Sequence, residues 1–337
     1  MSVYCGVRCI ANKHNLEKEV EEMKNLCKLE TRKRKHAERI ANTYYKEWRS
    51  QRAERDRAIS TQSHKTSVGV LPNSLFIPSE LLQTEFDGTK DIVLGCGVFG
   101  TVKLCKYKGN YVAVKYLKNV NILQSTEELK RALFHEARIL LNLKCNESIP
   151  SLVGVSVDKH PLKIVFQFYG IQKTSITLYS ICNNNGEIAF ELNEDQRHCL
   201  FNKLAKGIHH IHCCGYLHND IMSDNVVIYQ NGEHYLPMLI DFGKSCKIRN
   251  GHRKQLNQEE QATYLDRYKH IPPEVVNGSH IQSIYSDIFS YSYLDYKLSS
   301  SISLCSSSYK LKEIMKKTIK TWNCRASLTN IISILEL

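Results

Sequence analysis

The glycine run Gly95-Cys96-Gly97-Val98-Phe99-Gly100 leads into more strand, not into a helix, and that order restricts the fold more than any other feature of the chain. A G-x-G-x-x-G that opens a helix after a strand marks a dinucleotide-binding βαβ unit, in which the helix N-terminus meets the pyrophosphate. Here Thr101-Val102-Lys103-Leu104 continues a β-branched and apolar pattern. Lys108-Gly109-Asn110 then sets a tight turn before a second run that ends at Val112-Ala113-Val114-Lys115. The pattern predicts an antiparallel hairpin with a glycine turn at one end, whose backbone N–H groups can lie over phosphate oxygens.

The next segment, "STEELKRALFHEARILLNL", predicts a helix. Ser125 with Glu128 fits a capping box. Leu129, Ala132, Leu133, Glu136, Ile139, Leu140 and Leu143 fall on one face at helical spacing. Glu136 is thus a carboxylate on an apolar face. Burying it alone costs several kcal/mol, so it needs a cationic partner. Lys115, at the far side of the predicted hairpin, supplies one. Further on, "LHNDIMSDNVVIYQ" (217–230) places His218, Asn219, Asp220, Asp224 and Asn225 within eight positions, directly before an apolar run. Such a stretch is either a catalytic loop or a polar turn before a buried strand.

The rest of the chain decides between them. "GCGVFGTV", "VAVK", Glu136 in "HEARIL", "HNDIMSDN", "DFG" (241–243) and "PPE" (272–274) stand in the order and approximate spacing of the eukaryotic protein kinase family, which residues 88–337 resemble. The resemblance implies an α+β, two-lobed protein kinase fold. An N-lobe of small antiparallel sheet plus one helix spans about 88–168, and a mostly helical C-lobe about 171–337. It implies transfer of the ATP γ-phosphoryl group, with Mg2+, to hydroxyls of a protein substrate. Lys115, braced by Glu136, would orient the α- and β-phosphates. Asp220 would be the base, and Asn225 and Asp241 would hold the metal. Phosphoryl transfer needs positioning and neutralised charge more than covalent help, and this set supplies both. The resemblance also implies a nucleotide site lined by Leu94, Gly95, Gly97, Gly100, Val102, Ala113, Lys115, Phe166, Gln167 and Tyr169. In it Phe166 is a bulky gatekeeper, and Gln167 to Tyr169 offer backbone groups to adenine. Asp287 would brace the catalytic loop, and Arg325 would pair with Glu274.

The departures are as informative. Asn219 replaces an Arg that in many relatives pairs with a phosphorylated activation loop, so that switch is not expected. Met222 replaces the Lys that serine/threonine kinases place two residues after the catalytic Asp, where it touches the transferred phosphate. The tyrosine-kinase arrangement is missing too, since Asp224 stands there. Hydroxyl specificity leans to Ser/Thr. Asp287 and Arg325 are only 38 positions apart (325 − 287), with a Ser-rich stretch between, which predicts a shortened or lost C-lobe helix. Ala326 also stands where the family has Pro. The rival reading is a pseudokinase scaffold that binds ATP or partners without turnover, or an adaptor acting through its basic extension. Retention of Lys115, Asp220 and the "DFG" motif favours catalysis.

Ahead of the domain, residues 12–60 contain neither Pro nor Gly and predict a basic helical extension (1–60). Leu16, Val20, Met23 and Cys27 start a coiled-coil seam that Glu30 and Arg34 break. Much of the net charge of +12 sits at 28–57, which suits an acidic partner, self-association through the helix, or nuclear import at "RKRK". Interleaved acids make nucleic acid the weaker reading. Residues 61–85 read as a linker and 86–337 as the kinase domain. The 13 Cys are odd in number and scattered, as reduced thiols would be. No run approaches the ~18 apolar residues of a membrane span, and the first residues make a poor signal peptide, so a cytoplasmic or nuclear location is expected. The His and Cys of "GIHHIHCCGYLHND", and Cys5, Cys9 and His14, make only thin zinc patterns.

Overall fold

The hairpin closes as the Lys108-Gly109 turn requires. The structure, a computed structural model, describes residues 71–337 except 98–99, 119–124, 144–145, 184–191, 302–313, 315–316, 320–323 and 337. The chain divides into two units, Met1–Val68 and Gly69–Leu337. The expected N-terminal helix, its seam, "RKRK" and the Cys5/Cys9/His14 pattern lie outside the described residues. Strands β1 (Gln83–Thr84), β2 (Phe86–Asp87) and β3 (Lys90–Asp91) lead to β4 (Val93–Gly97), β5 (Gly100–Tyr107) and β6 (Asn110–Leu117). β5 and β6 pair from Gly100↔Leu117 to Tyr107↔Asn110. Lys108 and Gly109 take φ of 49° and 82°. Two positive-φ residues in succession give the turn whose twist matches the flanking strands.

Helix α1 (Thr126–Asn142) follows, and its capping box is made in both directions. The Glu128 N–H donates to Ser125 Oγ at 3.2 Å, and the Ser125 N–H to Glu128 Oε2 at 3.0 Å. Leu129, Leu133, Glu136, Ile139 and Leu140 are buried, as the spacing predicts. Ala132 is exposed instead, and Ala137 takes its place in the core. The apolar stripe therefore lies nearer the Glu136 side of the helix than expected.

β7 (Leu152–Ser156) and β8 (Lys163–Gln167) complete an antiparallel sheet of order β1-β5-β6-β8-β7, with β4 also on β5. Directly opposed residues share a face and successive ones alternate. Val102, Lys115 and Ile164 therefore stand on one face, as do Leu104, Ala113 and Phe166. Val112, Val114 and Val165 turn the other way and form a small core with Ile77, Leu82 and Cys105. Residues read as linker join the two cores, Ile77 and Leu82 this small one and Leu71 the larger one on the other side of the sheet. Leu71 and Ile77 are buried, and the Ile77 N–H donates to Val155 O at 2.8 Å. Their apolar residues show no period because they flank single 3-10 turns, Asn73–Leu75 and Ser79–Leu81.

The second lobe begins with β9 (Ile176–Thr177), α2 (Leu178–Cys182) and α3 (Glu194–Cys213). β10 (Tyr216–Leu217), β11 (Val226–Asn231), β12 (His234–Leu239) and β13 (Cys246–Lys247) follow. The helices α4 (Gln258–Arg267), α5 (Pro273–Val276), α6 (Ile284–Ser301) and α7 (Leu328–Glu336) complete it. The core of this lobe is continuous with the α1 face of the sheet and centres on Leu200, Phe201, Leu204, Ile208 and Tyr291. The fold is the expected α+β pair of lobes, one mostly sheet and one mostly helix. Much of the segment where a C-lobe helix was expected to shorten, 302–313 and 320–323, lies outside the described residues. Among the described residues no helix is long and apolar enough to cross a membrane.

Candidate active site

Lys115 extends from β6 on the face turned to α1. Its Nζ lies 3.1 Å from Glu136 Oε2 and 2.8 Å from Asp241 Oδ1. Burial pulls the ammonium toward its neutral form, but the two carboxylates outweigh that and hold it protonated well above the usual lysine range. One cation thus serves two anions. Burial lifts the Glu136 carboxyl above its ordinary value despite Lys115. Asp241 is held below its own, because burial is outweighed there by Lys115. With all three ionised, the cluster carries one negative charge in excess.

Asp241 stands just past the end of β12, with φ at 65° and ψ at 78°. The left-handed region is open to Asp at modest cost, and here it directs the carboxylate to Lys115. Phe242 anchors the turn: it is fully buried, with its ring 4.7 Å from that of His218 in an edge-on contact. Asn225 immediately precedes β11, which pairs with β12 from Val226↔Leu239 outward. The Ile240 N–H donates to Asn225 O at 2.9 Å. Asn225 and Asp241 therefore emerge from the same end of one hairpin.

The loop 218–222 hangs from a buried carboxylate. Asp287, in the first turn of α6, accepts the His218 N–H (2.9 Å), the Asn219 N–H (2.9 Å) and His212 Nε2–H (2.9 Å). Burial raises its carboxyl, but these donors outweigh it and leave Asp287 below the ordinary range. Asn219 takes a φ of 65°. Its Nδ2 donates to Lys244 O at 3.2 Å and contacts Cys246 Sγ at 3.3 Å. The residue that replaces Arg therefore ties the loop to the segment after "DFG". Asp220 is held in turn by Asn225, whose Nδ2 donates to its carbonyl oxygen (2.9 Å) and to Oδ2 (3.1 Å). Its other oxygen, Oδ1, receives Lys244 Nζ at 2.9 Å. His270 Nε2 lies 4.0 Å from that same Oδ1. Burial pushes His270 down to about 4, so it is neutral at ordinary pH.

Four of the residues predicted from the resemblance, Val102, Ala113, Lys115 and Phe166, share the α1-side face of the sheet and are half-buried. Leu94 sits at a bulge where β4 shifts register on β5. Gly100 has a structural reason, since a Cβ there would lie 2.5 Å from Tyr116 O. Gly95 and Gly97 have none, because a Cβ at either would meet nothing within 4 Å. Exposed Cys96 lies between them. Its hydrogen bond with Thr101, and Lys118 nearby, hold the thiol below its ordinary pKa. One expected group is not available: the Gln167 N–H donates to Ser151 O at 3.0 Å, because the strand pairing continues to that residue. Tyr169 directs its ring against Tyr229 and its hydroxyl toward Ser151.

Other expectations meet their partners. Arg325 is buried and forks onto Glu274, with Nη1 at Oε1 and Nη2 3.1 Å from Oε2, and it also donates to Tyr285 O. His212 of the thin zinc pattern is bound to Asp287, and among the described residues no three metal-ligating side chains gather. The sequence reading missed Lys244, His270 and α4. For Lys244 the signal was its place directly after "DFG", and for α4 it was the Asn257/Glu260 capping box.

Comparison with known proteins identifies the family. Residues 89–333 match the family model described as the protein kinase domain. Citron rho-interacting kinase of Rattus norvegicus is 28% identical over 158 residues, which is 46% of this chain and 7% of that protein. Serine/threonine-protein kinase PSK1 of Saccharomyces cerevisiae is 24% identical over 250 residues, 72% of this chain and 17% of that protein. Serine/threonine-protein kinase ppk6 of Schizosaccharomyces pombe is 30% identical over 164 residues, 47% of this chain and 20% of that protein. The chain thus spans a fifth or less of the length of these relatives. On the family match over residues 89–333, and on the two-lobed fold that accords with it, the chain belongs to the protein kinase domain family.

Proposed function

We propose that this domain transfers the γ-phosphoryl group of ATP to hydroxyls of a protein substrate, Ser and Thr ahead of Tyr. The observation that carries the reading is the meeting of Lys115, Glu136 and Asp241 with Asp220 and Asn225 at one end of the β11–β12 hairpin. Lys115, fixed by its two carboxylates, orients the α- and β-phosphates. Gly95 and Gly97, which face open space, let backbone N–H groups approach phosphate oxygens. Phe166 and Ala113 flank the base. Adenine pairs with the Gln167 carbonyl and the Tyr169 backbone. Asp220 takes the proton of the attacking hydroxyl, and its pinned Oδ2 fixes the direction of Oδ1.

Magnesium fits the residues present. An Asp carboxylate and an Asn side chain supply hard oxygen donors, and with Glu136 and Asp241 both ionised the cluster around Lys115 has a negative charge to offset. Asp241 and Asn225 would hold the ion, which when bound neutralises phosphate charge. The two yeast relatives, both named serine/threonine-protein kinases, support the Ser/Thr preference. A scaffold without turnover is the second reading, and the observation on its side is Met222, a half-buried apolar side chain in the catalytic loop.

The test is transfer from labelled ATP with magnesium, to the chain itself and to generic protein substrates, for wild type beside Asp220→Asn. Incorporation that disappears in the variant supports the kinase, and phosphoamino-acid analysis then decides the hydroxyl. Folded wild-type protein that binds ATP yet transfers nothing is the result that makes it a scaffold.

A further inference from the structure

Met222 leaves the catalytic loop without a cation of its own, yet Asp220 is not without one. Lys244 follows Asp241 by three residues, in the 3-10 turn Phe242–Lys244, and reaches back 24 positions to place Nζ 2.9 Å from Asp220 Oδ1. Its backbone is tied down by Asn219, which donates to Lys244 O. The ammonium therefore lies between the base and the segment that carries Asp241. The transferred group must cross the same interval, since the hydroxyl approaches Asp220 and the phosphates approach Lys115 and Asp241.

The other basic groups nearby are engaged elsewhere. Lys115 is held between Glu136 and Asp241. Lys297 Nζ is on Ser223 Oγ at 3.2 Å, and Lys254 Nζ lies over the Tyr264 ring at 4.8 Å. His270, the remaining neighbour of Oδ1, is neutral. Lys244 is also the one with room to move. Its side chain is 54% exposed against 12% for Lys115, so it can exchange a carboxylate oxygen for a phosphoryl oxygen without burying a new charge.

We propose that Lys244, from the residue after "DFG", is the cation that neutralises the γ-phosphoryl oxygens during transfer, in the role that Met222 cannot fill. The inference rests on the transfer reaction proposed above. In that reaction the bond from the substrate hydroxyl oxygen to the γ-phosphorus forms, and the bond from that phosphorus to the β–γ bridging oxygen breaks. The electron pair leaves with ADP, and the hydroxyl proton passes to Asp220. Lys244 forms and breaks no covalent bond. Its Nζ swings from Oδ1 to the equatorial oxygens as charge accumulates there, which also releases Oδ1 to accept the proton.

The test compares wild type, Lys244→Met, Lys244→Arg and the double variant Lys244→Met/Met222→Lys by kcat, KM for ATP and Tm. The expected result is a fall in kcat of about 100-fold for Lys244→Met, the scale for losing one donor to developing charge. KM for ATP and Tm stay near wild type. Lys244→Arg recovers part of the rate, and a lysine returned at 222 recovers at least about tenfold, the cation now coming from the loop itself. An active wild type whose Lys244→Met variant is unchanged or faster overturns the proposal, and Lys244 is then only a restraint on the base. A loss that tracks Tm or KM and is not rescued at 222 overturns it as well. A wild type that transfers nothing overturns the kinase reading itself, and that outcome is recognised before any variant is compared.

Discussion

Asp241 and Asp220 each hold a lysine, at 2.8 and 2.9 Å, in settings that have little in common. Around Asp241 the lysine is largely shielded from solvent, serves two carboxylates and comes from a central strand. Around Asp220 the lysine is half in solvent, serves one carboxylate and comes from a short turn. The first ion pair holds parts of the structure together, because removing Lys115 leaves the buried Glu136 carboxylate unpaired. The second is a contact that can be exchanged. A short N–O distance alone does not separate a strut from a movable part; burial and the number of partners do.

The sharpest way to break this comparison is to remove each cation in turn. Lys115→Met leaves Glu136 and Asp241 facing each other unpaired and should lower the unfolding free energy by about 3–5 kcal/mol. Lys244→Met, screened by solvent, should cost no more than about 1 kcal/mol. Urea unfolding of both variants decides it, and equal losses would erase the distinction.

Acid should loosen the Asp220 side. His270 has an ordinary pKa near 6.5 when unfolded and about 4 in the fold, from burial first and then from the nearby cations Lys244, Lys297 and Lys254, all of which together outweigh the upward pull of Asp220. The unfolded chain therefore takes up the proton first. Stability attributable to His270 is complete above pH 6.5, declines as pH falls toward 4, and is then level. At 1.36 kcal/mol per unit the change is roughly 3 kcal/mol. Thermal melts across that range check it, and His270→Asn should remove most of this slope.

Next in size, Asp287→Ala leaves the buried His218 N–H and the half-buried Asn219 N–H unpaired. It should cost about 2 kcal/mol and reduce phosphate transfer by misplacing Asp220. Restoration of the rate in a structure still short of the carboxylate would show that the loop holds its own shape. The smallest effect concerns the glycines. Gly100→Ala collides with Tyr116 O and should cost about 1–2 kcal/mol. Gly97→Ala should leave stability within about 0.5 kcal/mol while weakening ATP binding, read by melting with and without nucleotide.

The same contrast explains what could be read from the chain letters. Glu136 was legible because a carboxylate at an apolar helical position demands a partner, and the strand alternation put Lys115 on the facing side. Gly109 and Ser125 announced a turn and a cap by local chemistry alone. Lys244 and His270 were not legible in the same way. Their contact with Asp220 spans 24 and 50 positions (244 − 220 and 270 − 220), and each stands in a turn between regular elements, where no periodicity fixes direction. Residues 71–82 were taken for linker for the same reason, since single 3-10 turns bury Leu71 and Ile77 without any repeat.

Cys96 brings one more consequence. An exposed thiol with a depressed pKa reacts readily with alkylating reagents, and this one sits inside the glycine loop. If the loop lies down over phosphates, the alkylation half-time at that peptide becomes a clock for nucleotide occupancy. It can be followed by mass spectrometry and needs neither a substrate nor a single turnover.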